Sequence, residues 1–191
     1  MPQGRLFVVA GPSGAGKGTL IGELLKRYPS ASLSVSATTR RPRPGEVDGL
    51  QYYFLDEEEF RDQAGKDMFL EWAEVHGNLY GTPRAKVEQD LAESRDVILE
   101  IDVQGARQVR EKVPGAVAIF VHTPSLEVLE ERLRKRGTEE KRELERRLRN
   151  ALEESREKDD YDYAVLNDEF HRAVEEFCAI YERESPLAKR N

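Results

Sequence analysis

The chain has 191 residues, of which 30 are basic and 37 acidic, for a formal charge of −7. That length suits one globular unit with a real core, and the acidic balance excludes a nucleic-acid coat or a polybasic membrane binder. The single cysteine, Cys178, excludes an intramolecular disulfide framework and a cysteine-based zinc site.

No apolar run reaches the ~18 residues of a membrane span. Leu6–Ala10 is too short for a signal-peptide core. A soluble chain in a reducing cytoplasm is therefore expected, with no membrane or nucleic-acid partner. Short apolar runs read as buried strands at Leu6–Ala10, Leu33–Val35, Val97–Ile101, Val117–Val121 and Ala164–Leu166. Helical patterns stand between or after them at Lys17–Arg27, Pro83–Glu93, Gln104–Lys112, Leu126–Lys135 and Asp168–Glu182. Buried strands alternating with helices predict an α/β class with a parallel sheet flanked by helices. Two segments break the rhythm. Residues 35–82, rich in Tyr, Phe, Gly and Thr, read as short antiparallel strands plus a helix at Asp56–Gln63. Residues 133–158 are almost entirely charged and read as a solvated helical excursion. The expected architecture is a core (about 1–34, 83–132 and 159–191) carrying two inserted lobes.

Gly11-Pro12-Ser13-Gly14-Ala15-Gly16-Lys17-Gly18-Thr19 follows the first strand and opens the first helix. That is the context of a phosphate-binding P-loop. Glycines let backbone N–H groups turn inward, the helix N-terminus adds partial positive charge, and Lys17 reaches the β- and γ-phosphates. The usual pattern ends in Ser or Thr after the lysine, where a hydroxyl ligates Mg²⁺. Here that position is Gly18. Mg²⁺ must then be held mostly by phosphate oxygens, waters and a carboxylate, with Thr19 a substitute hydroxyl. Glu100 and Asp102 end an apolar strand two residues apart and so share a face toward the ligand crevice. Either acid suits Mg²⁺, largely through water, or a second substrate.

The acceptor must be read elsewhere. Residues 34–46 run Ser-Val-Ser-Ala-Thr-Thr-Arg-Arg-Pro-Arg-Pro-Gly-Glu, with three arginines in four positions amid hydroxyls. Arginine forks match phosphate oxygens, and Tyr52 and Tyr80 offer further hydroxyl donors. With this segment stand Gly49-x-x-Tyr52-x-Phe54, Phe69-Leu-Glu71-Trp72-Ala, Gly77-Asn78-x-Tyr80-Gly81-Thr82, Ile101-Asp102-x-Gln104-Gly105, Arg136-Gly137-Thr138 and Asn167-Asp168. In order and spacing these motifs resemble guanylate kinase, from about residue 5 to 185.

The resemblance implies ATP and GMP, with dGMP, as substrates and Mg²⁺ as the cofactor. It implies Ser36, Glu71, Thr82 and Asp102 around guanine. Guanine offers an acceptor O6 and donors at N1 and N2, which carboxylates and hydroxyls complement. Adenine presents the reverse pattern at N1 and the exocyclic position. Arg40, Arg43, Tyr52 and Tyr80 would hold the GMP phosphate, while Arg41 has no carried-over role. Arg132, Arg136 and Arg147 would close over the ATP phosphates, with Asn167 also on the ATP side. In the charged lid the Arg146-Arg147-Leu148 run stands where the family has Lys-Arg-Leu.

The expected reaction is direct in-line transfer from ATP to a GMP phosphate oxygen. That oxygen is already charged, so no general base is required; Lys17, Arg40, Arg136 and Arg147 would supply electrostatic stabilisation. Rival readings are a P-loop kinase with another acceptor and a non-catalytic module that binds a phosphorylated partner. The intact P-loop disfavours the second. Trp72 reads as lobe core, Cys178 as a buried structural thiol, and His76, His122 and His171 lie too far apart in sequence for a metal motif.

Overall fold

The computed structural model describes residues 3–135 and 141–188 and, of 141–143, the backbone alone. A parallel five-stranded sheet forms the centre, in the order β2-β7-β1-β8-β9. Its strands are β1 (Leu6–Ala10), β2 (Ala31–Leu33), β7 (Asp96–Glu100), β8 (Val117–His122) and β9 (Tyr163–Leu166). Alternation along β1 sends its side chains to two cores. Phe7 and Val9 face helices α1 (Lys17–Arg27) and α7 (Phe170–Glu184), meeting Leu20, Ile21, Leu24, Phe177 and Cys178. Leu6 and Val8 face α3 (Arg84–Ala92) and α4 (Val103–Lys112), meeting Val87, Ala106 and Val109. Both faces of the sheet are covered, so its strands read as continuous apolar runs.

The second sheet, in the order β4-β3-β6-β5, comprises β3 (Ser36–Thr38), β4 (Tyr52–Phe54), β5 (Phe69–Val75) and β6 (Asn78–Pro83). Helix α2 (Glu57–Gly65) packs Phe60 on Phe69, ring centroids 4.5 Å apart. Asp56 caps that helix by accepting from the Glu59 amide. One expectation fails in this sheet. β6 runs antiparallel to β3 and β5, but β4 runs parallel to β3. The arginine-rich connection is long enough to carry the chain back to the start of the sheet, so β4 enters in the same direction as β3.

Three further differences are local. The second core strand lies at Ala31–Leu33, earlier than the apolar run Leu33–Val35, because Ala31, Ser32 and Leu33 register with Asp96, Val97 and Ile98. Trp72 is 39 % exposed rather than lobe core. Its neighbour Glu71 points inward, and strand alternation turns Trp72 out. The charged segment is not wholly solvated. Helix α6 (Lys141–Glu154) lays Leu144, Leu148 and Ala151 against Leu129 and Leu133 of α5 (Leu126–Lys135), and a 3-10 helix (Ser155–Asp160) follows it.

Candidate active site

β1 delivers the chain into the P-loop, and Lys17 opens α1. Gly11, Gly14 and Gly16 all have positive φ, the backbone conformation that wraps N–H groups around an anion. At Gly16, with φ of 96°, a Cβ would also overlap the Asn167 amide. Lys17 folds back over the loop, its Nζ donating to the carbonyls of Gly11 at 2.6 Å and Pro12 at 3.2 Å. Behind the loop, Asn167 Nδ2 donates to the Ala15 carbonyl at 2.7 Å, and Arg132 bridges that carbonyl and the Asn167 carbonyl. Asn167 and Arg132 thus brace the loop from outside, and the fold brings them to its back rather than into the cleft. Arg147 of α6 approaches Ser13 Oγ at 3.4 Å. Arg136 lies outside the described residues.

A cavity of about 300 Å³ runs from Gly11, Ser13 and Lys17 to Ser36, Glu71 and Asp102. Arg40, Arg43, Tyr52 and Tyr80 line its flank. Of the residues singled out in the sequence, Gly11, Ser13 and Lys17 of the P-loop meet Ser36, Arg40, Arg43, Tyr52, Glu71, Tyr80 and Asp102 in one cleft. Arg40 is held by a fork of two bonds to Glu46, at 2.8 and 3.0 Å, and the same carboxylate accepts from the Arg43 amide. The Glu46 carboxylate holds the Arg40 guanidinium protonated, above its ordinary range. The guanidinium also lies over the rings of Tyr52, at 5.3 Å, and Phe54. Burial raises the Tyr52 hydroxyl, so it stays a donor.

At the far end Glu71 is almost fully buried. Thr82, itself without exposed surface, donates to Glu71 Oε1 at 2.6 Å. The Thr82 hydroxyl thus works behind the cavity wall, orienting the carboxylate. Burial pushes the Glu71 carboxyl up to about 7, its hydrogen bond from Thr82 opposing and the nearby charge of Asp102 adding to the rise. Gly105 completes this wall, since a Cβ there would overlap Glu71 Oε2. Asp102 caps α4, accepting from the Gly105 amide at 3.0 Å, and also takes a bond from Gln104.

Two carboxylates in the cavity were given little or no part by sequence reasoning. Glu100, at the end of β7, has an oxygen 3.3 Å from where a Cβ on Gly18 would stand. It therefore occupies the neighbourhood in which the usual P-loop hydroxyl would lie. Glu154, at the end of α6, also lines the cavity. Burial pushes its carboxyl up to about 7, with Lys17 opposing and Asp102 and Glu157 adding. The signal for Glu154 was present in the sequence: it lies seven residues after Arg147, two helical turns along one face. Among the described residues no group of three or more His, Cys, Asp or Glu forms a cation cage. No described helix is long and apolar enough to cross a membrane.

Comparison with known proteins points to one family. The family model for guanylate kinase matches residues 3–184. A guanylate kinase from Carboxydothermus hydrogenoformans is 50% identical over 190 residues, covering 100% of this chain and 93% of its own. One from Rubrobacter xylanophilus is 54% identical over 183 residues, with 96% of each chain covered. Among solved structures, guanylate kinase from Anaplasma phagocytophilum superposes with a TM-score of 0.79 at 32% identity, covering 97% of this chain and 88% of that one. A gluconokinase from Sinorhizobium meliloti reaches a TM-score of 0.54 at 20% identity, a likeness of fold alone.

Proposed function

The chain belongs to the guanylate kinase family and phosphorylates GMP to GDP with ATP; from that premise we propose how its own residues perform the reaction. The observation that carries the proposal is the single cleft joining the Lys17 end to the Glu71–Asp102 end. The P-loop from Gly11 to Thr19 cradles the donor phosphates through its backbone amides, with Lys17 leaving its carbonyl partners for the β- and γ-oxygens. Arg147 and Arg136 cover the same phosphates from the lid. Arg132 and Asn167 serve the donor by bracing the loop.

GMP places its phosphate against Arg40, Arg43, Tyr52 and Tyr80. Its base lies toward Ser36, Glu71 and Asp102, with Thr82 fixing Glu71. Guanine N1–H and N2–H₂ are donors, so two carboxylates complement them, while adenine leaves the carboxylates without donors at N1. A phosphate oxygen of GMP attacks in line. It already carries negative charge, so transfer needs no general base. The protein's part is positioning and charge stabilisation by Lys17, Arg40, Arg136 and Arg147.

The donor set facing the P-loop is all oxygen, which suits Mg²⁺ with retained waters. Glu100 beside Gly18 supports this fit. Glu100 and Thr19 would hold the ion largely through water, with Asp102, engaged at the base end, left to guanine; the ion's chemistry there is to neutralise charge on the phosphates. Functionally the chain divides into a core (about 1–34, 83–132 and 159–191), an acceptor lobe (about 35–82) and a lid (about 133–158). The enzyme acts in the cytoplasm in purine nucleotide metabolism, accepts dGMP, and binds small molecules rather than nucleic acid. The test is a panel of nucleoside monophosphates with ATP, on the native chain and on Glu71→Gln. Selective loss with GMP supports the base assignment; unchanged discrimination between GMP and AMP overturns it.

A further inference from the structure

Glu154 sits in the cleft on the side of the lid, on the last turn of α6. Leu144, Leu148 and Ala151 anchor that helix on α5, which leaves the flanking face carrying Arg147 and Glu154 turned to the cavity. The helix therefore presents a cation near Ser13, at the donor end, and a carboxylate further along. Glu154 forms no hydrogen bond or ion pair among the described residues. Its carboxyl feels both the Lys17 charge, at the phosphate end, and the Asp102 charge, at the base end. In a mononucleotide the group between phosphate and base is the ribose. In its ionised form the carboxylate repels phosphate and only accepts hydrogen bonds, and the ribose hydroxyls are the donors left once Glu71 and Asp102 have met the base.

We propose that Glu154 accepts hydrogen bonds from the ribose hydroxyls of the acceptor nucleotide, so that lid helix α6 grips the donor through Arg147 and the acceptor through Glu154. The inference rests on the placement of GMP described above. It makes acceptor occupancy a direct reason for lid closure, because the same rigid helix touches both substrates. It also predicts that the enzyme reads sugar as well as base.

The test measures kcat/KM for GMP, dGMP and 2′,3′-dideoxy-GMP at saturating ATP and Mg²⁺, in the native chain and in Glu154→Ala. Alanine keeps the helix. A hydrogen bond to a charged acceptor is worth a factor of about 10 to 100. Glu154→Ala should lose that factor with GMP, lose less with dGMP, and match the native chain within about twofold with the dideoxy acceptor. Glu154→Gln, which keeps one acceptor oxygen, should recover part of the loss. Equal losses with all three acceptors, or no loss with GMP, overturn the proposal; equal losses with a shifted Mg²⁺ requirement would instead assign Glu154 to the metal. A Glu71→Gln control in the same assay separates the two readings: if it still loses GMP selectively while the ribose series is flat, only the Glu154 inference falls.

Discussion

Binding of GMP should release a proton from Glu71, and the size of that effect follows from the pocket. Burial has moved the carboxyl from its ordinary 4.5 to about 7. Because the folded value is raised, protonation favours the empty folded state. Its contribution to stability is full below pH 4.5 and is lost as pH rises through 7. Guanine reverses the preference, since only the ionised carboxylate accepts from N1–H and N2–H₂ together. Affinity for GMP should therefore rise with pH and level off above 7. At pH 5.5, 1.5 units below that value, the Glu71 factor alone weakens binding about thirtyfold relative to the plateau. The GMP phosphate, with a second pKa of about 6, and Glu154 titrate nearby and add to the total. The informative quantity is therefore the difference between native chain and Glu71→Gln. Titration calorimetry at pH 6 in buffers of different ionisation enthalpy counts released protons; the native chain should release about one more than Glu71→Gln. Equal proton counts, or tighter GMP binding on acidification in the native chain, would refute the reasoning.

Other residues give sharper, smaller tests. Lys17→Ala should lower kcat by at least about 10²-fold. Loss of its bonds to the Gly11 and Pro12 carbonyls should cost about 1–3 kcal/mol in all, a fall in Tm of about 2–12 °C; stopped-assay turnover and calorimetry check both. Gly105→Ala should push on Glu71 and raise KM for GMP about tenfold, leaving KM for ATP unchanged in steady-state kinetics. Gly16→Ala combines positive φ with overlap on Asn167, so it should cost about 1–3 kcal/mol of stability, read by urea unfolding. Asp96 is fully buried and accepts from the Arg5 amide, the Tyr181 hydroxyl and Ser185 Oγ. Asp96→Ala strands those three donors, costing about 3–6 kcal/mol and a Tm drop of about 10 °C or more, with kcat/KM unchanged at temperatures where the variant stays folded.

Local signals read most reliably in the sequence. The P-loop is strand, glycines and helix within 22 residues (6–27), and each part is visible without its neighbours. Long-range consequences were harder to see. That Asn167 seals the back of the P-loop depends on a contact 152 residues away in the chain. The parallel entry of β4 depends on how a long loop travels, not on composition. Trp72 and Glu71 illustrate a conflict of two rules: residue type puts tryptophan inside and glutamate outside, and strand parity allows only one of them in. The site needed the carboxylate, so the aromatic ring faces out. Asp102 has a legible second role, since an acid just before a helical pattern is a capping signal. In α6 the apolar stripe of Leu144, Leu148 and Ala151 was hidden among charges, and with it the face that carries Glu154.

The order of strands has an evolutionary consequence. The acceptor lobe leaves the core after β2, which is an edge strand, and returns through α3 to β7, the strand beside it. Both seams lie at one border of the sheet, while β1 and the P-loop sit in its interior. An insertion at such a border can lengthen, shrink or be exchanged without breaking the ladders β7–β1 and β1–β8 that hold the phosphate cradle. The inserted lobe can thus vary without disturbing the phosphate cradle, while Asp102 and Glu154 complete the cleft from outside it. A designer who wanted a new acceptor would graft between residues 34 and 83 and then retune Asp102 and Glu154, which line the same cleft from the core and from α6.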